Sequence, residues 1–203
     1  MRLRRLLLGG AAAVAGAALW WRKNPSACPY GQRFWVEAPH PLITRARLRE
    51  ILDPKPGERI LEVGPGTGYY TLDVAEAVKP DGEVDVLDLQ QEMLDHTMRS
   101  AGERGLSNVN PTHSDATAMP YEDATYDAVF LVTVLGEVPD QDAAIRELAR
   151  VLKHGGRLVV GELLGDPHYV RLDPLRLRAS GTGLAYERRA GNALGYFARF
   201  VKR

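Results

Sequence analysis

One run of the chain, Glu62-Val63-Gly64-Pro65-Gly66-Thr67-Gly68, sets three alternate glycines two residues behind an acid. Glycine lacks a Cβ, so alternate glycines let a tight turn bring its backbone close to a ligand. Residues 59–63, apolar at Ile60, Leu61 and Val63, read as a buried strand before this turn, and residues 69–78 as a helix after it. Ligands of open α/β sheets bind at the carboxyl ends of their strands. The turn and the acid two residues ahead of its first glycine are therefore candidate ligand contacts, with a purely structural turn as the plainer alternative. The spacing also argues against one class of ligand. A dinucleotide fingerprint, G-x-G-x-x-G, would place its third glycine at position 69, which is Tyr69. A nicotinamide oxidoreductase is disfavoured on that ground. The one cysteine, Cys28, allows no internal disulfide, and no Cys/His cluster has zinc spacing.

The elements that must position this turn follow from periodicity. Residues 44–52 form a short amphipathic helix stopped by Pro54 and Pro56. Strands follow at 59–63, 83–89, 109–114, 126–134 and 157–164, with helices at 69–78, 90–105 and 140–152. The 126–134 run is almost wholly apolar, as a central parallel strand should be. Gly155-Gly156 should cap the helix before the fifth strand. A helix near 173–179 leads to two strands, 184–189 and 196–202, which a Gly191-Asn192 turn would make antiparallel. Five strands alternating with helices, followed by a helix and a hairpin, predict an α/β fold: a Rossmann-like, doubly wound, seven-stranded sheet, mostly parallel, with a C-terminal antiparallel pair.

Residues 41–203 resemble class I S-adenosylmethionine-dependent methyltransferases, in particular the ubiquinone/menaquinone-biosynthesis branch of small-molecule enzymes. The glycine run matches that class's E/D-x-G-x-G-x-G signature. Val86-Leu87-Asp88-Leu89 ends the second strand with an acid 20 residues beyond Gly68. Ser114-Asp115-Ala116 with Met119-Pro120, Tyr126 to Phe130 with Val134 to Asp140, and Arg146 to Gly156 match further stretches in order. His154 stands where the family usually has Pro. The resemblance implies that S-adenosylmethionine is the cofactor. It implies that Asp88 holds both ribose hydroxyls, which a carboxylate can accept together. It further implies that Asp115 and the Ala116 backbone read the adenine, that Leu89 packs on it, and that Glu62 lies near the methionine amino group. Gly64, Gly66 and Gly68 would line the cofactor, and Thr133 or Val134 would lie beside its methionine part. For the acceptor side, Glu137, His168 and Tyr169 are the candidate catalytic residues, because they fall in loops after strands four and five.

The N-terminus carries a different signal. Residues 6–21, LLLGGAAAVAGAALWW, contain no polar side chain and are bracketed by Arg2, Arg4 and Arg5 before and Arg22 and Lys23 after. We read residues 1–23 as a membrane-anchor segment, a hydrophobic helix that spans the bilayer or lies in its interface. A cleaved export signal is the rival: Ser26-Ala27-Cys28 resembles the end of a lipoprotein cleavage site, but Pro25 stands where Leu is preferred. Residues 24–40 are a Pro- and aromatic-rich linker whose Tyr30, Phe34 and Trp35 could form a lid over the cofactor or sit at the membrane surface. With 26 basic and 26 acidic residues the chain has no net charge and no nucleic-acid footprint. The expectation is a membrane-associated enzyme, its catalytic domain cytoplasmic, that methylates a small-molecule or lipid acceptor. The alternative is a non-catalytic scaffold that binds the same cofactor.

Overall fold

The computed structural model describes residues 25–32 and 40–203. The proposed anchor and two of the three lid aromatics, Phe34 and Trp35, lie outside the described residues. Among the described residues no helix is long and apolar enough to cross a membrane.

Seven strands form one sheet in the order β3-β2-β1-β4-β5-β7-β6. They are β1 (Arg59–Val63), β2 (Glu83–Asp88), β3 (Val109–His113), β4 (Tyr126–Val132), β5 (Leu152–Leu163), β6 (Leu184–Asn192) and β7 (Gly195–Lys202). The first five are parallel, and β7 pairs antiparallel with both β5 and β6. The chain order reverses between β1 and β4, which opens a crevice at their carboxyl ends.

Strand alternation sends side chains to two cores. Ile60, Ala128, Phe130 and Val159 pack beneath helices α1 (Arg45–Leu52), α2 (Thr71–Ala77) and α3 (Gln91–Glu103). Leu61, Val129, Leu131 and Val160 pack against α4 (Gln141–Val151) and α5 (Leu172–Ser180) on the opposite face. The helix starts carry visible signals: Thr44 Oγ1 accepts the Arg47 N–H at 3.2 Å, and Asp140 Oδ1 accepts the Ala143 N–H at 2.9 Å.

Three local expectations are corrected. Helix α4 ends at Val151, because Leu152 is already extended and pairs with Tyr126; Gly155-Gly156 therefore makes an irregularity inside β5, with Gly155 at φ +77°, rather than a helix cap. The β3–β4 connection contains no helix, so the β-α alternation is interrupted there. The hairpin turns at Ala193-Leu194, since Gly191 and Asn192 still pair with Tyr196 and Gly195.

Candidate active site

Site residues emerge at the carboxyl ends of β1, β2 and β4. The Gly64 N–H donates to Leu87 O at 2.8 Å, so the glycine turn remains tied to the end of β2. Gly64, Gly66 and Gly68 all have positive φ, a backbone state that costs other residues energy. A Cβ on Gly64 would lie 2.4 Å from Val134 Cγ2. One on Gly68 would press on Thr97 Cγ2 at 3.3 Å, so Gly68 packs the turn against α3 and is absent from the cleft lining. Thr97 Oγ1 also donates to Gly66 O at 3.1 Å.

Beside this turn runs a cleft of about 370 Å³, within the range of small-molecule sites. Gly64, Gly66, Asp88, Leu89, Asp115 and Thr133 are on its walls, as is Ala116. Asp88 is buried, accepts the Gln90 N–H at 2.8 Å, and has its carboxyl pushed up, chiefly by that burial. The next residue, Leu89, is 58 % exposed, an apolar side chain held open on a cleft wall. Asp115 turns its carboxylate onto the Thr117 N–H and Oγ1, each at 2.7 Å, which fixes the loop after β3. Glu62 lies behind the turn, fully buried and accepting from Thr71 Oγ1; burial raises its carboxyl to about 8.

A second cavity of about 560 Å³ adjoins the first. Cys28, Gly64, Val132, Thr133 and Glu137 belong to both walls. Its own walls add Tyr69, Tyr70, Asp166 and His168. Glu137, on the 3-10 turn Leu135–Glu137, accepts the Cys28 N–H at 3.2 Å, and desolvation lifts its carboxyl to about 8, with Asp166 and Asp88 adding repulsion. His168 is placed by an Asp166 Oδ1 bond to its backbone N–H at 2.7 Å. Tyr169 goes elsewhere: its hydroxyl donates to Ala193 O at 2.9 Å, and it is absent from both linings. The candidates therefore divide into two that face the cavity and one that braces the hairpin.

Sequence reasoning missed three features. Thr133 is β-branched yet sits at φ +56° at the junction of the cavities, a strained conformation that the Gly161 carbonyl fixes by accepting its N–H at 2.8 Å. Gln90 clasps residues 25–32 over the cleft: its amide donates to Cys28 O at 2.9 Å and accepts the Tyr30 N–H at 3.2 Å. Glu162 is 1 % exposed, its Oε2 accepting the Val170 N–H at 3.1 Å and pinning the loop that carries Asp166 and His168. None of the three has a local signature in the chain.

No described residue lining either cavity is Lys or Arg, while Asp88, Asp115, Glu137 and Asp166 are all present. A ligand with ammonium and sulfonium charges and a hydroxylated ribose fits that inventory: Asp88 suits the hydroxyls, Leu89 a base face, and the glycine turn a close-lying chain. Among the described residues there is no acid, His or Cys group able to hold a metal ion.

Residues 39–168 match the model of the ubiE/COQ5 methyltransferase family. The chain is 37 % identical over 115 residues to the demethylmenaquinone methyltransferase of Bacillus cytotoxicus, covering 57 % of this chain and 48 % of that one. It is 35 % identical over 122 residues to the ubiquinone/menaquinone biosynthesis C-methyltransferase UbiE of Shewanella oneidensis, covering 60 % and 49 %. It is also 34 % identical over 148 residues to the protein-L-isoaspartate O-methyltransferase of Methanopyrus kandleri, covering 72 % and 61 %. The chain thus spans about half to three fifths of these relatives' lengths. A SAM-dependent methyltransferase structure from Aquifex aeolicus superposes with a TM-score of 0.79 at 20 % identity, over 87 % of this chain and all of that one. The glycine turn, the acid ending β2 and the strand order thus agree with the sequence comparison: the chain belongs to the ubiE/COQ5 methyltransferase family, which with its fold implies S-adenosylmethionine as cofactor.

Proposed function

We propose that the protein transfers a methyl group from S-adenosylmethionine to a small, quinone-like or lipid acceptor presented at a membrane, with the catalytic domain on the cytoplasmic side. The observation that carries this reading is the shared wall of the two cavities, where Thr133, Glu137 and Gly64 border both. One cavity has the residues a nucleoside and amino acid need, and the other has room for an acceptor. When bound, the cofactor supplies a methyl on a sulfonium that is already a good leaving group.

The protein's remaining tasks are placement, exclusion of water and removal of one proton. Asp88 orients the ribose, and Asp115, Ala116 and Leu89 orient the adenine. Glu62, Gly64 and Gly66 shape the methionine end. Gly68 acts by packing the turn. Residues 25–32 lie along the rim and exclude water there, with Tyr30 OH within 3.3 Å of His96 Nδ1. An acceptor hydroxyl or activated carbon must lose a proton as its new bond to the methyl forms. Glu137 borders both cavities and accepts that proton on its carboxylate, while His168 and Asp166 bound the acceptor. The sequence relatives carry quinone-type and isoaspartyl names alike, so the acceptor class rests on the ubiE/COQ5 match and the apolar N-terminal run.

The test is incubation of the full chain with methyl-labelled S-adenosylmethionine and a cell lysate including membranes, followed by organic extraction. Gly66→Asp is the control. Enzyme-dependent label in the organic phase is expected. Label confined to water-soluble metabolites would overturn the lipid assignment. Cofactor binding with no transfer into any fraction would favour the scaffold reading.

A further inference from the structure

The mouth of the acceptor cavity carries an apolar pair that the folded core does not use. Leu164 and Leu194 are 50 % and 53 % exposed. They lie on separate loops, one after β5 and the other at the β6–β7 hairpin tip, yet the Leu164 N–H donates to Leu194 O at 2.9 Å. The residues on either side of Leu164, Leu163 and Gly165, line the acceptor cavity, so the pair stands at its edge. Gly195, next to Leu194, is packed so closely on Leu42 that an added Cβ would approach its Cβ to 2.6 Å. The hairpin tip is thus held firmly, with its leucine pointing outward.

Positive charge borders this pair. Tyr169 ties to the tip through Ala193 O; Arg171 follows it by two residues on the same connection, and Arg189 lies on β6 opposite Ala198, in the hairpin that carries Leu194. Both arginines are exposed, and neither has a carboxylate partner among the ion pairs of the described residues. Exposed leucines at a cavity rim, with exposed arginines on the same loop and hairpin, match the boundary between headgroups and acyl chains, where apolar side chains insert and guanidinium groups meet anionic lipid.

We propose that the Leu164–Leu194 rim, with Arg171 and Arg189, docks the catalytic domain onto an anionic bilayer so that the acceptor cavity opens against the lipid. The Arg- and Lys-flanked apolar run at residues 6–21 of the same chain would keep the domain near that surface. The purpose of docking rests on the acceptor-site reading above, but docking itself does not.

The test uses the full chain in a Cys28→Ser background, carrying an environment-sensitive thiol probe at Leu194→Cys or, as control, at Lys55→Cys near the amino ends of the strands. Each is mixed with vesicles of phosphatidylglycerol and phosphatidylcholine, and cosedimentation confirms binding. A blue shift with quenching by lipid-borne quenchers is expected at position 194 and not at 55. The shift should weaken on phosphatidylcholine alone, at high salt, and in Arg171→Glu/Arg189→Glu. Vesicle-bound protein whose 194 probe stays in water, or equal shifts at both sites, would overturn the proposal; so would failure to bind vesicles. No arm depends on methyl transfer, so a null result in the labelling experiment leaves this test intact.

Discussion

The two ends of the sheet treat acidic side chains in opposite ways. At the amino end every notable acid has a cation. Asp85, buried in β2, accepts from Arg59 Nη2 at 2.7 Å, Tyr126 OH at 2.6 Å and Asn110 Nδ2 at 3.0 Å. Glu58 takes both Arg157 nitrogens at 2.8 and 2.6 Å, and Asp127 takes Lys153 Nζ at 2.6 Å. At the carboxyl end Glu62, Asp88, Glu137, Glu162 and Asp166 are all pushed upward by burial; among the described residues none forms an ion pair with Lys or Arg, and the hydrogen bonds they accept come from hydroxyl and backbone donors, with His113 and His168 acting only electrostatically on Asp88 and Asp166. A fold seeking only stability would not gather unpaired acids, because each resists ionisation in a dry site. The amino end holds the sheet together. On the function proposed above, the carboxyl end holds charge capacity in reserve for a cationic cofactor and for a proton.

The contrast can be broken from either side. The largest effect expected is on turnover. Glu137→Gln should lower the methyl-transfer rate by about 100-fold or more while leaving cofactor affinity within a few-fold, read by label transfer and calorimetry. The wild-type rate should rise with pH to an inflection near about 8, following ionisation of Glu137, and the variant should lack that inflection. Next, Asp85→Ala should cost about 2–4 kcal/mol of stability, since Tyr126 OH and Asn110 lose a buried acceptor; chemical denaturation reads this, and cofactor affinity should not change. The last effect is in the pH dependence of stability. Glu62 and Glu137 have folded-state values near 8 against ordinary values of 4.5. Between those limits the unfolded chain ionises them and the folded chain does not. Their contribution is therefore full below about 4.5 and lost as pH rises towards about 8. Denaturation midpoints across that range should fall, and fall less in Glu137→Gln.

What the chain made legible tracks how local each signal is. The glycine turn announces itself because only glycine takes three positive φ values in five residues, and β4 because a central strand is apolar on both faces. Asp88 is legible because it ends β2 at a fixed distance from that turn. Other features are invisible because they depend on contacts far apart in sequence. The Cys28 N–H reaches Glu137 across 109 residues, and Gln90 reaches the same strap across about 60. Loop position alone places Tyr169 on the acceptor side, whereas its hydroxyl donates to the hairpin carbonyl of Ala193. Gly155-Gly156 reads as a cap from the pattern alone, which does not reveal that Leu152 is already paired with Tyr126.

The proposed function requires that the buried acids at the carboxyl end serve a cofactor. Its most direct test is calorimetric titration of S-adenosylmethionine into the full chain and into Asp88→Ala, with thermal unfolding of both. Saturable binding is expected, weakened more than about tenfold in the variant, with an unchanged or raised unfolding temperature. Equal affinity in the two proteins, or a variant that loses binding only because it unfolds, would contradict it.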